Sequence, residues 1–282
     1  PRHGGGRRQR AGERGRVMEA GERIPPAAPA ASEASEAPAT VTTGTLYGVG
    51  MGPGEPEYLT VRAMRVLERA PVLVHFCKKG RRGNARTIAD AILRDPAREF
   101  PLAYPYTTEL PPDHADYVAA LAAFYDDAAG QLADHLGAGR DVAILSEGDP
   151  FFYGSFMHLW RRLKDRFPVE VVPGVTGMSG CWTRAGTPIT WGDDVLTVLP
   201  ATLPAATLAE RLRGTDAAVI MKLGRHLPKV RAALAEAGLL ARAVYVERGT
   251  MAGERVQALA DKPDDEAPYF SMVLVPGEGR RP

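Results

Sequence analysis

TLYGVGMGPGEPEYLT, residues 45–60, sets the reading of this chain. A short apolar run at 45–49 gives way to Gly50, Gly52 and Gly54 around Pro53, and an apolar pattern at helical spacing follows from Leu59. A strand, a glycine-rich turn and a helix in that order are the opening of a βαβ unit, and the glycines let the backbone turn sharply and approach a ligand closely. The turn has neither the G-x-G-x-x-G spacing of a dinucleotide fingerprint nor the Gly-Lys-Ser/Thr ending of a phosphate loop, and Pro53 lacks an N–H that a phosphate cradle would use. Taken alone, it reads equally as a ligand-facing turn or as a tight strand–helix connection.

The same alternation continues on both sides. Apolar runs predict strands at 45–49, 72–75, 142–145, 169–172, 195–199, 217–221, 243–246 and 270–275. Helical spacing predicts helices at 59–68, 85–93, 116–137, 155–167, 207–213 and 227–236. Short continuous apolar strands separated by helices predict parallel pairing and an α/β architecture. A break near residues 166–173 divides the strand–helix units into two lobes, 44–167 and 168–282, with a cleft between them where a small ligand would bind. Residues 1–43 differ. They carry seven arginines and an Ala/Pro/Ser/Glu stretch, with no aromatic residue, and are expected to be a disordered tail or linker. No apolar stretch follows Arg7-Arg8, so a twin-arginine export signal is not expected.

Two further turns follow apolar strands. Residues 146–154, SEGDPFFYG, place Asp149 and Gly148 beyond the strand at 142–145, where ligands of open parallel sheets sit. Asp149 suits a ligand hydrogen bond or a helix cap, and Phe151 and Tyr153 suit the core as well as a flat ligand. Residues 172–180, VPGVTGMSG, place Thr176 where it would cap the next helix or touch a ligand, capping being the simpler reading. Three such turns in one chain are harder to dismiss than any single one.

Composition narrows the function. Thirty-five basic residues against thirty-four acidic ones give a net charge of +1, which excludes a nucleic-acid binder acting through bulk charge. Two cysteines, Cys77 and Cys181, exclude a disulfide framework and a cysteine-rich zinc site, and point to a reducing, cytoplasmic setting. The histidines show no paired spacing, so no metal site is expected. No run approaches the ~18 apolar residues of a membrane span.

In combination, GVGMGPGEPEYLT, SEGDPFFYG, VVPGVTGMSG, VIMK and ERGTM resemble the motifs of the tetrapyrrole methylases of cobalamin and sirohaem synthesis, over residues 44–277. The resemblance implies a two-lobed α/β methyltransferase using S-adenosylmethionine, with a homodimeric assembly. Matching motif by motif, it implies cofactor contacts at Pro53, at Glu147, Gly148, Asp149 and Phe152, at Thr176 and Gly177, at Met221 and at Gly249. Glu147 departs from the family, which has a glycine there. Residues 78–86, SEGDPFFYGSFMHL and GMSGCWTRAG are most similar to the members that methylate C20 of precorrin-2. The alternatives are the cobalt-containing counterpart of that reaction, a different ring carbon, or a non-catalytic tetrapyrrole-binding module.

A polycarboxylate ring implies basic contacts, because guanidinium pairs bidentately with carboxylate. Lys78, Arg81 and Arg82, just beyond the strand at 72–75, are the expected substrate contacts, with Arg184 weaker; a solvated loop is the plain alternative. Methyl transfer needs no nucleophilic side chain. Tyr153, Glu147, His75 and Asp193 are all conceivable as a base, and the sequence does not choose among them.

Overall fold

The computed structural model describes residues 42–105 and 114–279. The expected disordered tail falls almost entirely outside them. From β1 (Leu46–Gly50) the chain runs through α1 (Val61–Arg69), β2 (Val72–Lys78), α2 (Asn84–Ile88), β3 (Glu99–Tyr104), α3 (Ala115–Gly137), β4 (Val142–Ser146), α4 (Phe156–Leu163) and β5 (Val169–Val172). These five strands form one parallel sheet in the order β3-β2-β4-β1-β5. Successive residues of a strand face opposite sides, so a sheet covered on both faces needs unbroken apolar runs. Val72, Val74, Val142 and Ile144 pack against α3 and α4 through Leu132, Leu136, Phe156 and Leu159. Leu73, Ala143 and Leu145 pack on the other face with Val66 and Leu67 of α1 and Ile88 of α2.

The chain continues through α5 (Gly177–Arg184), β6 (Leu196–Pro200), α6 (Ala205–Arg213), β7 (Ala217–Met221), α7 (Leu227–Glu236), β8 (Val244–Glu247), β9 (Arg255–Ala258) and β10 (Ser271–Val275). These strands form a second sheet, β6-β7-β10-β8-β9. Only β6 and β7 pair in parallel; β10 runs antiparallel to β7 and β8, and β8 antiparallel to β9. The expectation of parallel pairing throughout therefore fails in this lobe. No helix crosses back between β8 and β9, and β10 enters between β7 and β8 from the opposite end. Ala218, Ile220, Tyr245 and Val273 face α6 and α7, while Val219, Val246 and Leu274 face Cys181, Met178 and Trp182 of α5.

The sequence expectation divides the lobes at 167/168, whereas β5 pairs with β1, so the first sheet extends to Val172 and the second begins at Leu196. Two edge elements, β3 and β9, have no counterpart among the expected strands. β9 is mostly solvent-facing, whereas β3 is half-buried through Phe100, Leu102 and Tyr104 and contains Pro101. Among the described residues no helix is long and apolar enough to cross a membrane.

Candidate active site

Strands β4, β1 and β5 are neighbours in one parallel sheet, so the three turns leaving them lie side by side. The first two turns are joined by paired backbone bonds. The Gly148 N–H donates to the Gly52 carbonyl at 2.8 Å, and the Gly52 N–H to the Gly148 carbonyl at 3.3 Å. Both backbone groups of Gly148 face this partner turn. The third turn closes on the second, and a Cβ placed on Gly174 would lie 2.0 Å from the Gly148 oxygen. Asp149 fastens this contact. Its Oδ1 accepts from the Phe151 N–H at 2.9 Å and its Oδ2 from the Gly174 N–H at 3.0 Å. Of the two readings of Asp149, the turn-holding one is seen directly, and the carboxylate retains lone pairs toward the cavity.

Thr176 caps α5, its Oγ1 accepting from the Ser179 N–H at 3.3 Å. The helix then touches both lobes. A Cβ on Gly180 would lie 2.5 Å from Cβ of Pro53 in the first turn. The second lobe adds the end of β7, the start of β10 and the turn after β8, where the Thr250 Oγ1 accepts from the Glu55 N–H at 3.3 Å and the Thr250 N–H donates to Glu254 at 2.7 Å. Between these parts lies a cavity of about 140 Å³. Pro53, Glu147, Gly148, Asp149, Phe152, Gly177, Met221 and Gly249 all line it, gathered from five separate stretches of chain. Thr176 stands beside them as the cap of α5.

Residues 45–261 match the model of the Tetrapyrrole (Corrin/Porphyrin) Methylases family. The chain belongs to the tetrapyrrole methylases. It is 57% identical over 242 residues to the precorrin-2 C(20)-methyltransferase of Sinorhizobium sp, covering 86% of this chain and 99% of that one. It is 32% identical to the cobalt-precorrin-2 C(20)-methyltransferase of Salmonella typhimurium, covering 82% and 96%. Among solved structures, the uroporphyrin-III C-methyl transferase of Thermus thermophilus complexed with S-adenosyl homocysteine superposes with a TM-score of 0.58 at 25% identity, covering 84% and 98%.

Several wall residues of this methylase are not among the cofactor contacts that the motifs implied: Tyr153, Lys222, Met251, Tyr269 and Met272. They reach the cavity through the pairing of β10 with β7 and β8 and through turns with left-handed backbone. Tyr153, Lys222, Arg248 and Thr250, at φ 56°, 58°, 51° and 69°, are the described non-glycine residues with positive φ, and all four lie in turns at the cavity. Such strain persists only where surrounding structure enforces it, and it gathers at functional sites.

Glu147, the departure from the family pattern, also lines the cavity. Burial pushes its carboxyl above the usual glutamate range, against hydrogen bonds from its own amide, the Ala85 amide and the Asn84 side chain. Its side chain thus ties the second turn to the start of α2. Of the four conceivable bases, Glu147 and Tyr153 line the cavity and Asp193 does not. His75 is buried in the first lobe, its Nε2 3.6 Å from Glu99, with burial holding it below the usual imidazole range.

The basic candidates separate. Lys78, Arg81 and Arg82 are exposed and lie outside the cavity lining, Lys78 at the end of β2 and the two arginines on the loop that leads into α2. Arg82 pairs with Asp90 at 2.9 Å, and the buried Arg86 with Asp90 at 2.7 Å and Glu99 at 2.5 Å. Arg184 also lies outside the lining, its guanidinium 2.8 Å from Glu254. Among the described residues no group of three or more His, Cys, Asp or Glu side chains is arranged to hold a metal ion.

Proposed function

We propose that this chain methylates C20 of precorrin-2 in cobalamin biosynthesis, using S-adenosylmethionine. The observation that carries the reading is the convergence of Pro53, the 147–152 turn, Gly177, Met221 and Gly249 on one cavity in a chain 57% identical to a precorrin-2 C(20)-methyltransferase. The wall fits the donor: Met221, Met251, Met272 and Phe152 offer apolar, polarisable surface for an adenine and a thioether, and Asp149 offers acceptors for a ribose or an ammonium. When bound, S-adenosylmethionine supplies an activated methyl, the new carbon–carbon bond forming as the carbon–sulfur bond breaks to leave a neutral thioether, and the positive charge passed to the ring is discharged as the C20 proton leaves to a base or to solvent. The protein's part is to hold the two reactants in line and exclude water. The interlocked turns do this by presenting a rigid wall. Lys78, Arg81 and Arg82 attract the ring's carboxylates from the rim, supported by their exposure at the end of β2.

The metal-free ring is favoured over the cobalt-containing one by 57% against 32% identity to the respective enzymes. On this reading the first lobe serves the ring and part of the donor site, and the second lobe completes the donor site. A homodimer is the assembly implied by the family resemblance, and sedimentation would test it; a cytoplasmic setting is the reading that two lone cysteines support. The deciding experiment incubates the enzyme with precorrin-2 and methyl-labelled S-adenosylmethionine. A mass gain of one methyl, assigned by NMR to C20, is expected; no gain, or a methyl on another carbon, would reject the reading.

A further inference from the structure

Lys222 leaves the end of β7 and lines the cavity from the second lobe. Its Nζ lies 4.7 Å from the ring centroid of Tyr153, which lines the cavity from the first lobe. Both residues hold left-handed backbone, a conformation costing about 1–2 kcal/mol for a side chain with a Cβ. Their neighbours enforce it at Lys222. The Met221 carbonyl accepts from the Ala201 N–H at 2.7 Å, Leu223 is wholly buried, and its carbonyl accepts from the His226 N–H at 2.8 Å. In an extended strand, adjacent side chains face opposite ways. Here the reversal at Lys222 lets both Met221 and Lys222 line the same cavity.

Among the described residues the charge of Lys222 has no carboxylate partner. Arg82, Arg86 and Arg184 each have a carboxylate partner, whereas the described residues give Lys222 no ion pair and no hydrogen bond, only the face of the Tyr153 ring. An ammonium fixed over an aromatic face beside an apolar cavity, with its three donors unused, suits an anion arriving with the ligand. We propose that Lys222 is a specificity-determining residue that grips a peripheral carboxylate of the tetrapyrrole at the cavity mouth, opposite the basic loop of the first lobe. This rests on the methylase reading of the cavity.

The test uses uroporphyrin III, an octacarboxylate ring that the enzyme need not methylate, followed by its fluorescence anisotropy. Lys222→Asn keeps a residue tolerant of left-handed backbone and removes the charge; Lys222→Arg keeps the charge. Expected is a weakening of about 5- to 20-fold for the Asn variant with a shallower salt dependence, and a change under about 3-fold for the Arg variant. S-adenosylhomocysteine affinity, by calorimetry, should be unchanged in both. Three results would overturn the proposal: equal ring binding by the Asn variant, a loss falling on S-adenosylhomocysteine instead, or no ring binding by the unmodified enzyme. Ring binding that depends on Lys222 without methylation of precorrin-2 would sink the proposed reaction and leave this assignment standing.

Discussion

Glu147 shows how one side chain carries two demands. Its carboxyl faces the cavity yet is bonded toward Asn84 and Ala85, and burial raises its pKa. A raised folded-state pKa means that its contribution to stability is complete below the usual glutamate range and is lost as pH rises through the folded value. Gln mimics the protonated form and keeps an acceptor. Glu147→Gln should therefore melt higher than the parent at pH 8, with the difference shrinking toward pH 4. A melting temperature lowered most at pH 8 would show instead that the bonds from α2 hold the group ionised.

At the level of elements, the site depends on three turns packed backbone to backbone. Gly174→Ala would drive a Cβ to 2.0 Å from the Gly148 carbonyl oxygen, where no flexible side chain can yield. A loss of about 3 kcal/mol or more is expected, by urea denaturation, together with loss of S-adenosylhomocysteine binding. Gly186, just past the end of α5, is the control. Unlike Gly174 it has positive φ, at 63°, and open space around the missing Cβ, so Gly186→Ala should cost only about 1 kcal/mol, from backbone strain alone, and leave binding intact. A cost at Gly174 no larger than that at Gly186 would mean that small shifts relieve the close approach of the turns.

At the level of the whole molecule, the cavity wall is drawn from both lobes, with Pro53, Gly148 and Asp149 on one side and Met221, Gly249 and Met272 on the other. A ligand bound there links the two sheets and stabilises the folded chain by mass action. At a hundredfold excess over its dissociation constant, S-adenosylhomocysteine should add about 2.7 kcal/mol, raising the melting temperature by roughly 5–10 °C. Scanning calorimetry with and without the compound checks this. An unchanged melting temperature at that excess would mean that the compound does not bind the folded chain in preference to the unfolded one.

What the sequence determined by itself was local. The apolar runs at 72–75 and 142–145 mark strands covered on both faces, because side-chain alternation leaves a doubly covered strand no polar position. The Gly/Pro turns after β1, β4 and β5 mark the places where the backbone must approach another chain segment, and six of the cavity-lining residues that the family resemblance implied lie in them. The edge strand β9 was not legible, since a strand buried little carries little apolar pattern, and in β3 Pro101 masks an alternation of Phe100, Leu102 and Tyr104 that packs on the first core. Only the tertiary structure decided which cations are spoken for. Arg82 and Arg184 read as available charge until the fold sets Asp90 and Glu254 against them, the latter 70 residues away. It alone also brought Lys222 over Tyr153 and Met272 beside Gly177. Sterics and periodicity act over a few residues and are written along the chain, whereas charge pairing and cavity walls depend on distances in space that only the packed sheets define.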